Sequence, residues 1–207
     1  MAGLVNVAGG PSNLKQPDGV PSEWNRIGQQ GDTLVSGLHG RWWELSSRGM
    51  LFFAASQAAH AVSVALTTTY TGICLSNPAG NTKNLEPIML GVGMSVANVD
   101  EAPLALGGGY TAAGVVTHTT PLVPLNAKLG VATAPTGLVD EHCTLTAAPY
   151  VIMPLSSAGG DGTFPFTSMT VFNIEGLICI PPGGYVFLYA LTAVTGLFGI
   201  AWAEFPV

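Results

Sequence analysis

Apolar residues recur at every second position over much of this chain, which is the period of a β-strand. Val62, Val64 and Leu66 alternate with small or polar residues, and the stretch "TSMTVFNIEGLICI" repeats the pattern. "NPAGN" at 77–81 and "PPGG" at 181–184 separate such stretches with Pro and Gly, the residues that tight turns require. The pattern predicts about eight or nine strands.

The same pattern predicts the fold class. The 27 Gly and 15 Pro residues are spread over the whole chain, and no long amphipathic helix can be drawn between them. Only Leu38–Arg48 suggests a short helix or an irregular turn, and Gly107–Gly109 suggest a β-bulge or turn. We therefore predict an all-β fold, an antiparallel two-sheet sandwich of jelly-roll type without exact internal repeats.

The N-terminal segment differs from the rest. Residues 1–32 are rich in Gly, Pro, Ser, Asn and Gln, and Pro11, Pro17 and Pro21 prevent a continuous helix. We predict an extended arm over 1–32 and a sandwich domain over 33–207. Trp24 lies in the arm, where an exposed indole is unfavourable, so it is expected to fold back or to dock on a neighbouring subunit.

The C-terminal segment raises the question of a membrane span. Tyr185–Ala203 is long and apolar enough by the usual length criterion. Gly196 and Gly199 interrupt it, "PPGG" opens it as a turn, and no cation flanks it. We predict instead a β-hairpin with its turn near 195–199, and no membrane contact.

The strand "YVFLYAL" is apolar on both faces. A strand on the outside of a monomeric sandwich normally alternates with polar residues, so this one requires a cover on each side. An oligomer interface is the simplest second cover, because obligate interfaces resemble a domain core cut in half.

Composition supports burial of surface against neighbours. The chain is 48% hydrophobic but only 9% charged, whereas an ordinary soluble domain has about 25% charged residues. The net charge of −6 and the lack of a basic cluster argue against a nucleic-acid partner.

The cysteines and the N-terminus indicate the compartment. Cys74, Cys143 and Cys179 form no CxxC pair, which favours three small buried hydrophobic residues in a reducing cytoplasm over one disulfide and a free thiol. The first residues lack the cationic and apolar regions of a signal peptide.

Motifs for catalysis are absent from the sequence. There is no GxSxG, HExxH, P-loop or dinucleotide fingerprint. The histidines (His39, His60, His118 and His142) are scattered, although an enzyme of cupin type that assembles its metal ligands in space stays open as an alternative. We predict no catalytic residue, no metal and no cofactor.

One segment combines charges with aromatic rings. In "LHGRWWEL", Arg41, Trp42 and Trp43 could stack on a sugar ring, or the tryptophans could close the end of the sandwich while Arg41 pairs with Glu44 or with a neighbour. The residues predicted to contact other subunits or a capsid are Trp24, Arg26, Arg41, Trp42, Trp43, Arg48, Tyr185, Phe187, Tyr189 and Trp202.

Four stretches carry a resemblance to known proteins: "SGLHGRWWELSSRGMLFFAAS", "CLSNPAGNTKNLEPIML", "PPGGYVFLYAL" and "GIAWAEFPV". Over residues 34–207 the chain resembles jelly-roll virion proteins of tailed bacteriophages and environmental viral sequences. The resemblance is compositional and transfers no catalytic residue.

The resemblance implies a structural virion protein assembled in the host cytoplasm. It implies an oligomeric, trimeric capsid decoration or cement protein whose partners are further copies and the major capsid protein or other virion proteins. The alternative is a receptor- or glycan-binding jelly-roll module of a tail or head fibre.

Overall fold

The computed structural model describes residues 40–95, 102–111, 113–158 and 170–206. By its contacts the chain divides into two units, 1–43 and 44–207. The arm predicted over 1–32 lies outside the described residues, so the boundary at residue 33 stays a prediction. The second unit contains the whole of the β-structure described below.

The described residues form one short helix and twelve strands. Gly49, two residues after the end of the helix, has a φ of 70°. Glycine adopts this left-handed conformation readily and often ends helices in it. The elements are α1 Trp43–Ser47, β1 Leu51–Ala55, β2 His60–Ala61, β3 Thr69–Ser76, β4 Lys83–Met94, β5 Ala102–Tyr110, β6 Val115–Pro121, β7 Leu125–Asn126, β8 Leu138–Leu145, β9 Tyr150–Ala158, β10 Thr170–Asn173, β11 Gly184–Ala190 and β12 Thr195–Pro206.

The strands form two antiparallel sheets of six. The first sheet has the order β10-β4-β12-β1-β7, with β2 also paired to β12, and the second has the order β6-β8-β3-β11-β5-β9. Most connections carry the chain from one sheet to the other, so neighbouring strands are distant in sequence. The predicted all-β, antiparallel two-sheet sandwich is confirmed, and its assignment to the jelly-roll type stays a prediction.

The main core lies between the two sheets. Val186, Leu188 and Ala190 of β11 pack in one apolar cluster with β12 side chains of the other sheet, Phe198, Ile200 and Trp202. Burial of each large apolar side chain contributes roughly 1.5–3 kcal/mol. Trp202 is fully buried and stacks on Phe52, with ring centroids 5.8 Å apart.

A second apolar cluster covers the opposite face of the second sheet. It contains Tyr70, Cys74, Cys143, Leu145, Tyr185 and Phe187. The Tyr185 ring lies over Gly109 of β5, where an added Cβ would be 2.6 Å from the Tyr185 Oη. Gly107–Gly109, predicted as a β-bulge or turn, are therefore part of strand β5, where the missing side chains leave room for the rings of Phe187 and Tyr185. The register between β5 and β9 shifts between Leu106 and Gly107, as it does at a β-bulge.

The predicted C-terminal hairpin is wrong. β11 pairs with β3 and β5 in the second sheet, whereas β12 pairs with β1, β2 and β4 in the first. Residues 191–194 cross between the sheets, and 195–199 begin β12 instead of forming a turn. Both strands point large apolar side chains into the core, β11 from the second sheet and β12 from the first. Because they belong to opposite sheets, they cannot form a hairpin with each other. Among the described residues, no helix is long and apolar enough to cross a membrane.

Candidate assembly surface

The outer face of the first sheet is set by the alternation of β12. Phe198, Ile200 and Trp202 point into the core, so Leu197, Gly199 and Ala201 point outward. These outward positions are small or apolar in every case. A strand in the centre of a sheet thus presents no polar side chain to the outside over this stretch.

The neighbouring strands continue the same face. In the register of the sheet, Ala201 lies opposite Phe53 of β1 and Met89 of β4, and Gly199 lies opposite Ala55 and Gly91. Two further pairs, Phe53 with Leu125 and Gly91 with Val171, extend it to β7 and β10. We call this surface the apolar outer face; it consists of Phe53, Ala55, Met89, Gly91, Gly93, Leu125, Val171, Leu197, Gly199 and Ala201.

The large side chains of the apolar outer face are accessible. Phe53 is 41% exposed, Val171 43%, Leu197 49% and Leu125 60%. None of the ten residues carries a charge or a polar side chain; Ala201, between Phe53 and Met89, is buried, and the exposed Asn173 of β10 lies opposite Met89 at the edge of the face. Because an outer sheet face normally alternates with polar residues, this surface is suited to cover by another apolar surface.

At three positions of this face, nothing within the protomer requires a glycine. A Cβ added at Gly91, Gly93 or Gly199 would have its nearest neighbour at 3.8, 3.7 or 3.5 Å, an ordinary contact. None of the three has a positive φ. Glycine inside a strand costs roughly 0.5–1 kcal/mol relative to alanine, and a common reason for it is the close approach of another backbone.

The doubly apolar strand β11 has its second cover within this chain. Tyr185 and Phe187 are buried in the second cluster, and the half-buried Tyr189 packs against it. The Tyr185 hydroxyl donates to the Ala147 carbonyl at 3.3 Å, and the Tyr189 hydroxyl donates to the Val64 carbonyl at 3.3 Å. The apolar pattern of β11 therefore does not require another subunit.

Trp202, also among the residues predicted to lie at an interface, is fully buried between the sheets. Its indole NH donates to Glu204 Oε1 at 3.4 Å. Tyr185, Phe187 and Trp202 are thus occupied by contacts inside the protomer. Whether Tyr189 contacts another subunit stays a prediction.

The other residues predicted to lie at an interface precede strand β1 in the sequence. The Arg41 guanidinium stacks over the Trp42 ring, 4.8 Å from its centroid, and Trp43 is exposed. Within α1 and the residue after it, Glu44 pairs with Arg48 at 2.6 Å, one helical turn apart. Trp24 and Arg26 lie outside the described residues.

The buried acid Glu204 ties three segments together. Its carboxylate accepts hydrogen bonds from Thr136 N at 2.7 Å, from Gly137 N at 2.8 Å and from the Thr136 hydroxyl at 2.8 Å. The Lys83 ammonium also donates to it at 2.8 Å. Burial by itself raises the pKa of Glu204, but the hydrogen bonds from Gly137, Lys83 and Thr136 outweigh it, so the pKa is lowered. The carboxylate anchors the loop before β8 to the last strand.

Asp140 is a second buried acid. Its Oδ2 lies 2.7 Å from His118 Nδ1, and its Oδ1 has no hydrogen-bond partner. Burial raises the pKa of Asp140, and the hydrogen bond and charge of His118 oppose this. Nearby in sequence, Glu141 Oε1 lies 3.4 Å from His60 Nδ1. Over the described ranges, no group of three or more His, Cys, Asp and Glu side chains is arranged to hold a metal ion.

Sequence reasoning missed the apolar outer face, although a signal was present. In "TGLFGIAWAEF", Phe198, Ile200 and Trp202 alternate with Leu197, Gly199, Ala201 and Ala203. This is the pattern of a strand that is apolar on both faces and mostly small on one of them. Interpretation of this segment as a hairpin concealed the alternation. Comparisons of the chain with protein-family models, with curated proteins and with solved structures find no match.

Proposed function

We propose that the protein is a structural subunit of a virion, an oligomeric capsid decoration or cement protein that stabilises a shell through contacts between subunits. The observation that carries this proposal is the apolar outer face, an uncharged and accessible surface across five strands. The resemblance of residues 34–207 to jelly-roll virion proteins adds the location in the virion, the major capsid protein as a partner and a preference for a trimer.

The charge content supports an assembly role. Only 9% of residues are charged, and a domain that is permanently exposed on all sides depends on surface charge for solubility. The buried acid Glu204 is satisfied by five donors within the protomer, which is a structural role. The proposal accordingly includes no catalytic residue, and its mechanism is mechanical: area buried between subunits resists opening of the shell.

Light scattering tests the oligomeric part of the proposal. The mass in solution is measured for the full chain and for a variant that lacks residues 1–32. We expect an oligomer in both, because the apolar outer face lies within the sandwich and not in the arm. A monomer in both samples overturns the proposal.

Labelling tests the virion part. An antibody against the protein is applied to intact particles of the virus that encodes it and is visualised by electron microscopy. A decoration protein gives label on the outside of the capsid. Label confined to disrupted particles or to infected-cell debris overturns a place on the capsid exterior.

A glycan-binding module is the second candidate, and exposed tyrosines favour it. β5 ends at Tyr110, which is 68% exposed, and β9, its neighbour in the sheet, begins at Tyr150, which is 75% exposed. Aromatic rings at the end of a sandwich are suited to stack on sugars. Binding to a glycan array that is lost in both Tyr110→Ala and Tyr150→Ala supports this candidate, and no binding by the wild type excludes it.

A further inference from the structure

We propose that the apolar outer face is covered by the same face of a second copy of this chain, related by a two-fold axis. The inference rests on the proposed function in that it takes the chain to be a homo-oligomer. It goes further by assigning the contact to particular residues and a particular symmetry. The large exposed side chains of the face, Phe53, Leu125, Val171 and Leu197, supply the apolar contact.

The relief of the face matches itself. Phe53 and Leu125 form a ridge on β1 and β7, and Val171 stands on β10 at the opposite edge. Between β1 and β10 lie β12 and β4, so these two edges are about 14 Å apart at about 4.8 Å per strand. The trough is the part between them that carries Gly199 and Gly91, and the exposed Leu197 of β12 bounds it at one end. Across a two-fold axis, if a residue of one copy contacts a given residue of the other, the same contact also occurs with the two copies exchanged. The ridge of each copy then lies in the trough of its partner.

The floor of the trough allows sheets to approach closely. Gly91 and Gly199 lie directly opposite each other in the register, and Gly93 lies opposite Leu197. A Cβ added at any of these glycines would make only ordinary contacts inside the protomer. A second sheet lying on the face, with a large ring in the trough, would be displaced by them. The contact therefore accounts for three glycines that packing within the protomer leaves unexplained.

The chemistry of the face favours a copy of this chain over a charged partner. All ten residues are uncharged and apolar, so a partner must offer a neutral apolar surface in return. Their exposure corresponds to roughly 500 Å² per copy, which lies within the range of the largest apolar patches found on single proteins. Two copies bury about 1,000 Å² in total, the lower limit for a specific interface.

The test is the mass in solution of the full chain and of two matched lysine variants. Gly199→Lys places an ammonium in the middle of the trough, where the protomer has room for a side chain. Gly80→Lys adds the same charge in the turn between β3 and β4, where an added Cβ has no neighbour within 4 Å. Phe53→Ser, which removes the ridge without adding charge, is the second variant at the face.

We expect the wild type and Gly80→Lys to have the mass of a dimer or of an even multiple, such as a hexamer in which the two-fold contact joins two trimers. In Gly199→Lys and Phe53→Ser the mass should fall by half, with self-association weakened on the order of 100-fold because a charge or a hydroxyl is left unpaired in an apolar contact. Circular dichroism confirms that both variants keep the β-structure. Since the contact is apolar, its strength should change little between low and high salt.

The outcomes separate this inference from the proposed function. A wild-type monomer overturns both. An oligomer whose mass is unchanged in Gly199→Lys and Phe53→Ser overturns the inference and leaves the proposed function intact, as does an odd-numbered oligomer such as a trimer. In those cases the face is covered by another virion protein or is left open.

Discussion

Replacing Glu204 with Gln removes the charge from a buried carboxylate that accepts five hydrogen bonds. If the amide oxygen takes the place of Oε1, it still accepts from the backbone NH groups of Thr136 and Gly137, 2.7 and 2.8 Å away. The amide nitrogen then faces the Lys83 ammonium, which donates to Oε2 in the wild type. The two backbone hydrogen bonds and the long one from the Trp202 indole become neutral, and the ion pair with Lys83 is lost. The Thr136 hydroxyl, which donates to Oε2 in the wild type, then faces the amide nitrogen.

The size of the effect follows from these contacts. A hydrogen bond to a charged group contributes about 1.5–3 kcal/mol and a neutral one about 0.5–1.5 kcal/mol, so the two backbone bonds together lose about 2–3 kcal/mol. The Lys83 side chain is 33% exposed, and solvent screening limits the loss of its ion pair to about 0–1 kcal/mol. We expect Glu204→Gln to lower the free energy of unfolding by about 2–4 kcal/mol at neutral pH.

The pH dependence provides a sharper test than the magnitude. The pKa of Glu204 is lowered in the folded protein, so ionisation of the carboxylate favours the folded state at every pH above its unfolded pKa. That contribution is lost as the pH falls through the lowered folded pKa, because the folded protein must then take up a proton as well. The difference between wild type and Glu204→Gln should therefore be complete at neutral pH and should shrink below about pH 4.

Urea unfolding, followed by the circular dichroism of the β-structure, measures this difference at each pH. Glu44→Gln is the matched control, because Glu44 makes its ion pair to Arg48 with a side chain that is 67% exposed. It should change the free energy of unfolding by less than about 0.5 kcal/mol. A loss below 0.5 kcal/mol in Glu204→Gln, or a loss that is the same at all pH values, would refute the reasoning.

Three further outcomes are expected. Gly107→Ala should lower the free energy of unfolding by more than about 2 kcal/mol in thermal or urea unfolding, because the new Cβ would overlap the Phe187 ring; a neutral result would contradict that packing. Tyr70→Phe should cost about 1–2 kcal/mol, since the Tyr70 hydroxyl donates to the buried Leu188 carbonyl at 2.5 Å, and an unchanged stability would show that this acceptor finds another donor. Among the three thiols, only the exposed Cys179 should react with a thiol reagent in the native protein, and mass spectrometry that finds two or three labels without denaturant would contradict the burial of the others.

The sequence predicted the local elements better than their partners. The turn at 181–184 forms as expected, and Gly183 takes a φ of 89°, which the Pro-Pro-Gly-Gly sequence anticipates. The β-period over 170–173 likewise corresponds to a strand. These features depend on neighbouring residues, so a short window of sequence contains the information that determines them. The predicted strand through Val62, Val64 and Leu66 is wrong, because residues 62–68 connect β2 to β3 and only 60–61 and 69–76 are strands.

Pairing between strands was beyond the sequence. Phe53 lies opposite Ala201 and Thr69 lies opposite Thr144, and no periodicity within either segment indicates which distant strand it joins. For the same reason β11 and β12 were wrongly joined in a hairpin: both are apolar, adjacent in sequence and separated by a short connection. Only the three-dimensional arrangement reveals that they pack face to face across the core.

Two strands of this protein are apolar on both faces, yet their second faces have different fates. On β11 the second face carries Tyr185, Phe187 and Tyr189, whose rings are large enough to reach the loops above the sheet. The hydroxyls of Tyr185 and Tyr189 donate to loop carbonyls. The chain itself then supplies the cover. Large aromatic side chains on an outer face thus indicate an internal second layer.

On β12 the second face carries Gly199 and Ala201 between exposed large residues. Such short side chains cannot reach a covering loop, but they allow another sheet to approach the backbone closely. The size of the side chains on the second face therefore distinguishes the two cases, and a doubly apolar strand by itself does not indicate an interface. By this criterion the outer face of β12 and its neighbours is the surface that we propose for assembly, and the aromatic face of β11 belongs to the interior of the protomer.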